Sequence, residues 1–192
     1  SSWTEVGDLN AQSYGAAAAG ISNTSGLVFA GAPTPADSNA VKTESWNGTA
    51  WTELNELNTG GPQPGGCGIQ TAALCINGEG DEGVESWNGT VWTEIADNSN
   101  GDRRGSVAAG TYTDAIVYGG GNPSRITKTE KWNGSSWTEL ADMSTATQYA
   151  GGGGQSSGFA INYGGGTPSS PSNSAATEEW STDHVIKTVT TS

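Results

Sequence analysis

Glu44-Ser-Trp-Asn-Gly-Thr-Ala-Trp-Thr-Glu-Leu54 recurs almost letter for letter as Glu85-Ser-Trp-Asn-Gly-Thr-Val-Trp-Thr-Glu-Ile95 and Glu130-Lys-Trp-Asn-Gly-Ser-Ser-Trp-Thr-Glu-Leu140. The chain opens on the second half of this unit, Ser2-Trp3-Thr4-Glu5-Val6, and near its end Glu179-Trp180 matches the first half. Trp3, Trp51, Trp92 and Trp137 are 48, 41 and 45 residues apart, and Trp46, Trp87, Trp132 and Trp180 are 41, 45 and 48 apart. A fixed period of this size marks a repeat architecture. Asn-Gly between two β-favouring runs is a hairpin signal, because both residues tolerate positive φ. Its loop is two or four residues long, and the sequence leaves that open.

Each unit continues into a small-residue strand, a short turn and an apolar strand closed by glycine. The third unit shows this as Val107-Ala-Ala-Gly-Thr-Tyr-Thr-Asp-Ala-Ile-Val-Tyr-Gly119-Gly120-Gly121. Four strands per unit make a meander that cannot bury its own faces, so neighbouring units must stack. Small residues on the first strand suit a crowded axis, and Trp on the wider strands suits diverging gaps. The fold class expected is all-β: a small β-propeller of four blades, each of four antiparallel strands. Residues 1–192 form one such domain, with residues 181–192 as a C-terminal strand or tail. An open β-solenoid is the competing architecture.

The ends are ambiguous. Residues 2–6 can supply the missing outer strand of the last blade and close the ring. The alternating tail around Val185 competes for the same place. The start at Ser1 without Met reads as a processed product or a piece of something longer.

Composition agrees with an all-β reading. Gly numbers 30 and Trp 8, and charged residues are only 14% of the chain. The net charge of −13, from 7 basic and 20 acidic residues, argues against a nucleic-acid surface. It also argues against an anionic membrane surface. No stretch is apolar enough to span a bilayer.

The Gly-Gly after an apolar strand, with a Trp following, resembles the kelch family of β-propellers. Gly119-Gly120 precedes Trp137 by 17 residues counted from Gly120, and Tyr118 holds the aromatic place before the glycines. The likeness covers nearly all of residues 1–180, although Ala30-Gly31 and Asn77-Gly78 replace Gly-Gly in two units. The Thr-Glu-x-Trp-Asn-Gly-x-x-Trp-Thr-Glu variant is similar to repeats in virion structural proteins of marine bacteriophages and in bacterial extracellular proteins. This resemblance implies a binding or structural role.

No catalytic constellation is recognisable in the sequence. The copper site of galactose oxidase, a kelch-type propeller enzyme, needs two His ligands, and this chain has only His184. No zinc set is present, since Cys67 and Cys75 are the only cysteines. They lie symmetrically about Thr71, so a hairpin centred there either bonds them in a disulfide or leaves two buried thiols. The acids Glu44, Glu53, Glu85, Glu94, Glu130 and Glu139 repeat identically and therefore read as structural; a catalytic pair would break the symmetry. Residues 151–154 are glycines, but no Gly-Lys-Ser/Thr follows to make a phosphate loop. Asn23, Asn47, Asn88 and Asn133 sit in glycosylation sequons, three of which are the same turn.

Gly119 and Gly120 and the eight Trp residues, Trp3, Trp46, Trp51, Trp87, Trp92, Trp132, Trp137 and Trp180, are assigned to packing. Loops on a rigid scaffold carry recognition, so the candidate binding residues are Asp81, Glu82, Asn122, Arg125 and Ser170. The expected function is a non-enzymatic surface-exposed structural or adhesion module of a phage particle. It needs no cofactor or metal, and its partners would be proteins of a particle or surface assembly, or cell-surface glycans. Its expected place is the virion surface or the extracellular space. The alternatives are a secreted carbohydrate-binding lectin and a glycoside hydrolase using two loop carboxylates.

Overall fold

The computed structural model describes residues 2–34, 40–166 and 173–182. It is an all-β, four-bladed propeller. The first blade comprises β1 (Ala17–Ser22), β2 (Ser25–Phe29), β3 (Thr43–Trp46) and β4 (Trp51–Glu53). The second comprises β5 (Gly65–Ile69), β6 (Ala72–Gly78), β7 (Asp81–Trp87) and β8 (Trp92–Glu94). The third comprises β9 (Val107–Thr111), β10 (Asp114–Tyr118), β11 (Thr129–Trp132) and β12 (Trp137–Glu139). The fourth has β13 (Gly151–Ser156), β14 (Phe159–Tyr163) and β15 (Thr177–Ser181) among the described residues. Every sheet is an antiparallel meander in chain order.

The innermost strands neighbour one another, β1 against β5, β5 against β9 and β9 against β13. Small residues are needed there because the backbones converge. A Cβ on Gly66 would lie 2.7 Å from the Ala17 Cβ and 2.9 Å from the Phe29 ring. Among the described residues, the first and fourth blades share no comparable strand contact. Residues 2–6 form no strand, and Trp3 is fully exposed, so this segment does not fill the packing role expected of it.

The repeated residues acquire repeated tasks. Trp46 pairs with Trp51, Trp87 with Trp92 and Trp132 with Trp137 across the outer hairpin. The hairpin loop is therefore four residues long. Asn47 Oδ1 accepts the Thr49 and Ala50 N–H groups across it, as Asn88 and Asn133 do in their own loops. The first Trp of each pair donates its indole N–H to the β1–β2-type turn of its own blade, for example Trp46 to Asn23 O at 3.0 Å. The position before the closing glycine has positive φ in every blade, at Ala30 (57°), Asn77 (56°), Gly119 (65°) and Gly164 (71°). The backbone keeps the left-handed turn even where the sequence departs from Gly-Gly.

The core is three inter-blade layers rather than one centre. Leu27 and Phe29 meet Ala73, Cys75 and Trp87 between the first two blades. Leu74, Ile76 and Cys67 meet Ala108, Val117 and Trp132 between the next two. Ile116 and Tyr118 meet Ala160 between the last two.

This layering decides the cysteine question against a disulfide. The β5–β6 register pairs Ile69 with Ala72, so Cys67 faces Leu74 while Cys75 faces Gly66. The hairpin centre lies half a residue before Thr71, and the one-residue slip sends the two thiols into different layers. Both are buried and not bonded to each other. Burial pushes the Cys67 thiol up to about 12. Neither cysteine should titrate with a thiol reagent in native buffer, and both should react at once in denaturant; one equivalent of fast native reaction would refute the placement.

Candidate functional site

The repeated acids do repeated structural work. In each blade a carboxylate on the third strand accepts N–H groups from the linker entering that blade. Glu44 holds Asn10 and Ala11, Glu85 holds Asn58 and Thr59, Glu130 holds Ser99, and Glu178 holds Ser144 and Thr145. These bonds fasten the chain crossing to the blade it is about to form.

At the third blade this symmetry breaks. The Arg103 guanidinium, fully buried, donates to Glu130 at 3.0 Å, and to the carbonyls of Gly119 at 3.2 Å and Lys128 at 2.6 Å. Ser99 Oγ (2.6 Å) and Asn100 Nδ2 (3.0 Å) complete the shell around Glu130. Burial lowers Arg103 to about 10 against the pull of Glu130, so the side chain is still charged near neutrality. The equivalent positions in the other repeats are Ser13, Gly61 and Thr147.

Arg103 anchors an asymmetric polar end of the propeller. The four entries to the inner strands all have left-handed backbone: Gly15 (63°), Gln63 (67°), Gly105 (68°) and Tyr149 (58°). They are chained by backbone hydrogen bonds, Gln63 N–H to Gly15 O (2.6 Å), Gly105 N–H to Gln63 O (2.8 Å) and Tyr149 N–H to Gly105 O (2.9 Å). Two of the four, Gln63 and Tyr149, bear side chains in a conformation that costs energy and that clusters at functional positions.

Around this chain stand residues that occur once each. Arg104 ion-pairs with Glu79 and lies 5.9 Å from the centre of the Tyr149 ring. Asp102 accepts the Gly80 N–H at 3.3 Å and the Asn122 amide at 2.9 Å. Gln63 Nε2 donates to Tyr14 Oη at 2.8 Å. Burial raises the Tyr149 phenol; Arg104 and Arg125 oppose that shift while Glu79 and Tyr14 add to it, so all five residues share one field. Arg125, Tyr149, Gly165, Gly166 and Asn173 line an open recess of about 420 Å³. Gln63 Oε1, Arg104 Nε and Arg125 Nε are buried here without a hydrogen-bond partner among the described residues.

Of the loop residues singled out from sequence, Asn122 and Arg125 stand at this end of the molecule. The turn preceding Asp81 reaches it through Gly80. The Glu82 side chain instead packs against Gly101, and its carbonyl accepts the Asn77 amide at 2.7 Å. Ser170 and His184 lie outside the described residues. Sequence reading missed Asp102, Arg103 and Arg104. The available signal was the Arg103-Arg104 pair, which puts two of the seven basic residues side by side in a chain of net charge −13.

Comparisons with known proteins give the fold and little more. No family model matches the chain, and no curated protein does. Among solved structures it is similar to one titled "Structure of YjhT", with a TM-score of 0.62 and 16% sequence identity. That likeness covers 72% of this chain and 48% of the other, so the chain spans about half the length of the propeller it resembles.

These findings correct the functional expectation. The non-enzymatic phage structural or adhesion module rested on the kelch-like repeat resemblance and on the absence of a catalytic constellation, the acids looking alike in every unit. The structure contains an asymmetric constellation: the buried Arg103–Glu130 pair with Ser99 and Asn100, and beside it the Glu79, Asp102, Arg104 and Tyr149 cluster. The exclusion of enzymatic activity falls with that premise. The kelch, virion and host-attachment terms find no support, since no family model matches and the fold likeness is to the YjhT structure.

Proposed function

We propose that this propeller processes a saccharide at its asymmetric end, as a glycoside hydrolase using the loop carboxylates Glu79 and Asp102. The observation that carries the reading is that these two acids break the repeat and stand in different surroundings. Glu79 is paired with Arg104, whereas Asp102 is held by the Gly80 N–H and the Asn122 amide. Glycoside hydrolysis divides acid and base or nucleophile roles between two such groups.

The surroundings suit a sugar. Tyr14 and Tyr149 are 42% and 48% exposed and offer ring faces on which a pyranose can stack. The unpartnered Gln63 Oε1, Arg104 Nε and Arg125 Nε are polar atoms for which ring hydroxyls are suitable partners. The acid protonates the leaving glycosidic oxygen. The second carboxylate attacks the anomeric carbon or activates a water, according to their separation in the bound complex.

A glycan array followed by reducing-end release on the hits tests this. Glu79→Gln and Asp102→Asn should each lower turnover by about 10²–10⁴-fold with binding and thermal midpoint retained, as for loss of a general acid or base. Binding without release would leave the lectin reading. An array without hits would sink both.

A further inference from the structure

Among the described residues, the gap between the third and fourth blades lacks a part that the two earlier gaps have. Between the first and second blades, Trp92 fills the space. Its ring lies 4.9 Å from Phe29 and 5.4 Å from Trp87, and its indole N–H donates to Thr43 Oγ1 at 2.9 Å. Trp137 occupies the next gap, 5.3 Å from Trp132. Its N–H turns to Ala96 O at 2.8 Å because Val84 stands at the Thr43 position.

In the third gap the same walls are in place. By strand register Tyr118 replaces Phe29, Thr129 replaces Thr43 and Trp180 replaces Trp87. Between them the described residues leave a half-open cavity of about 200 Å³, with Ile116, Tyr118, Met143, Ala160 and Trp180 on its apolar side and Asp142, Asn162, Glu178 and Glu179 on its polar side, Thr129 between them. An apolar cavity of ~150 Å³ accepts benzene, so this one has room for an indole. The outer edge of β15 also has no described strand beside it, whereas β3, β7 and β11 each carry a Trp-Thr-Glu strand.

One further Trp-Thr-Glu exists, Trp3-Thr4-Glu5, and Trp3 is fully exposed. Its phase is informative. Asn58, Ser99 and Ser144 each follow the outer-strand Trp by seven residues and donate their backbone N–H to the third-strand Glu of the next blade. Asn10 follows Trp3 by seven and binds Glu44 in the same way. Residues 3–5 therefore have the position of an outer strand for a blade lying before the first. With Gly7 set against Trp46, Trp3 reaches only about 14 Å further.

We infer that residues 2–6 of a second copy of this chain add to the fourth blade as its outer strand, seating the partner's Trp3 in this cavity with its N–H on Thr129 Oγ1. By the register of the other blades, Trp3 then faces Trp180 and Thr4 faces Glu179. The same docking covers a second bare surface. Phe159, Ile161 and Tyr163 alternate along β14 and are 54%, 42% and 50% exposed, while Ala160 between them packs on the third blade. The first blade of the incoming copy brings β1, with Ile21 79% exposed, to that face. The contact is head-to-tail, so it closes into a ring or runs on as a filament according to the rotation per copy.

Two single variants, Thr4→Cys and Glu179→Cys, mixed under mild oxidation, test the pairing, because the native thiols are buried. The expected result is a disulfide-linked heterodimer, together with a light-scattering mass that falls to that of one chain in Trp3→Ala. Trp3→Ala folds normally because no described residue packs on Trp3. A disulfide forming only within a chain carrying both substitutions would overturn the proposal. So would failure to cross-link, or a mass unchanged by Trp3→Ala. None of these readouts depends on saccharide turnover.

Discussion

Replacing Glu130 with alanine should lower the unfolding free energy by about 3–5 kcal/mol, the range for leaving one member of a buried ion pair without its partner. The side chains of Arg103 and Glu130 are both 0% exposed. Removing the carboxylate strands the guanidinium, the Ser99 hydroxyl and N–H, and the Asn100 amide together. Against a typical total of roughly 5–15 kcal/mol, that is a large share. Arg103→Met should cost a similar amount, because it leaves the carboxylate buried. The double variant Arg103→Met with Glu130→Gln should be less destabilised than the two losses added, since neither charge then remains. Denaturant midpoints at unchanged m-value measure all three. A loss under 1 kcal/mol in Glu130→Ala would mean the pair is reached by water.

The same pair sets an acid limb. Burial pushes the Glu130 carboxyl up, but the hydrogen bonds from Asn100 and Ser99 and the charge of Arg103 outweigh it and hold it below the ordinary carboxylate range. The folded value is thus below the unfolded one. The stabilisation is complete above the unfolded carboxylate value of about 4.3 and is lost as pH falls through the folded value. Glu130→Gln should flatten that part of the stability profile below about pH 4.

How much could be read beforehand depended on repetition. Trp46, Trp87 and Trp132 make the same hydrogen bond in successive blades, so their spacing carried the architecture. Ala30 and Asn77 broke the Gly-Gly pattern without breaking the left-handed turn, because turn geometry tolerates substitution better than a motif does. The cysteine pair depended on a register that one residue shifts, and sequence symmetry about Thr71 does not fix it.

The polar end was opaque for a different reason. Glu79, Asp102 and Arg104 occur once, and their side-chain hydrogen-bond partners are 20 to 25 residues away on other linkers. No period announces such a cluster. Arg103 buries its charge against Glu130 so that the neighbouring Arg104 faces Glu79 and Tyr149. The exception to the repeat is therefore also the link between scaffold and candidate site.

Trp92→Ala is the sharpest test of whether identical sequence copies carry identical energies. Trp92 is 4% exposed, packs on Phe29 and Trp87, and donates to Thr43. Its truncation opens a cavity between the first two blades and should cost about 3–5 kcal/mol. Thr43→Val, which keeps the shape but removes the Oγ1 acceptor, should cost about 0.5–1.5 kcal/mol, the net worth of one hydrogen bond, because the Trp137 indole, which faces Val84, finds a backbone carbonyl instead. Trp3→Ala removes the same residue from the same tripeptide and should leave the unfolding free energy of the separated chain unchanged. The contrast follows from what each Trp inserts into: Trp92 lies in a filled gap of its own chain and Trp3 in solvent. Equal losses for the two would mean that Trp3 already occupies the third gap of its own molecule. A small loss for Trp92→Ala would mean that the inter-blade layers collapse around a missing indole, and that the Trp repeat specifies register more than it supplies stability.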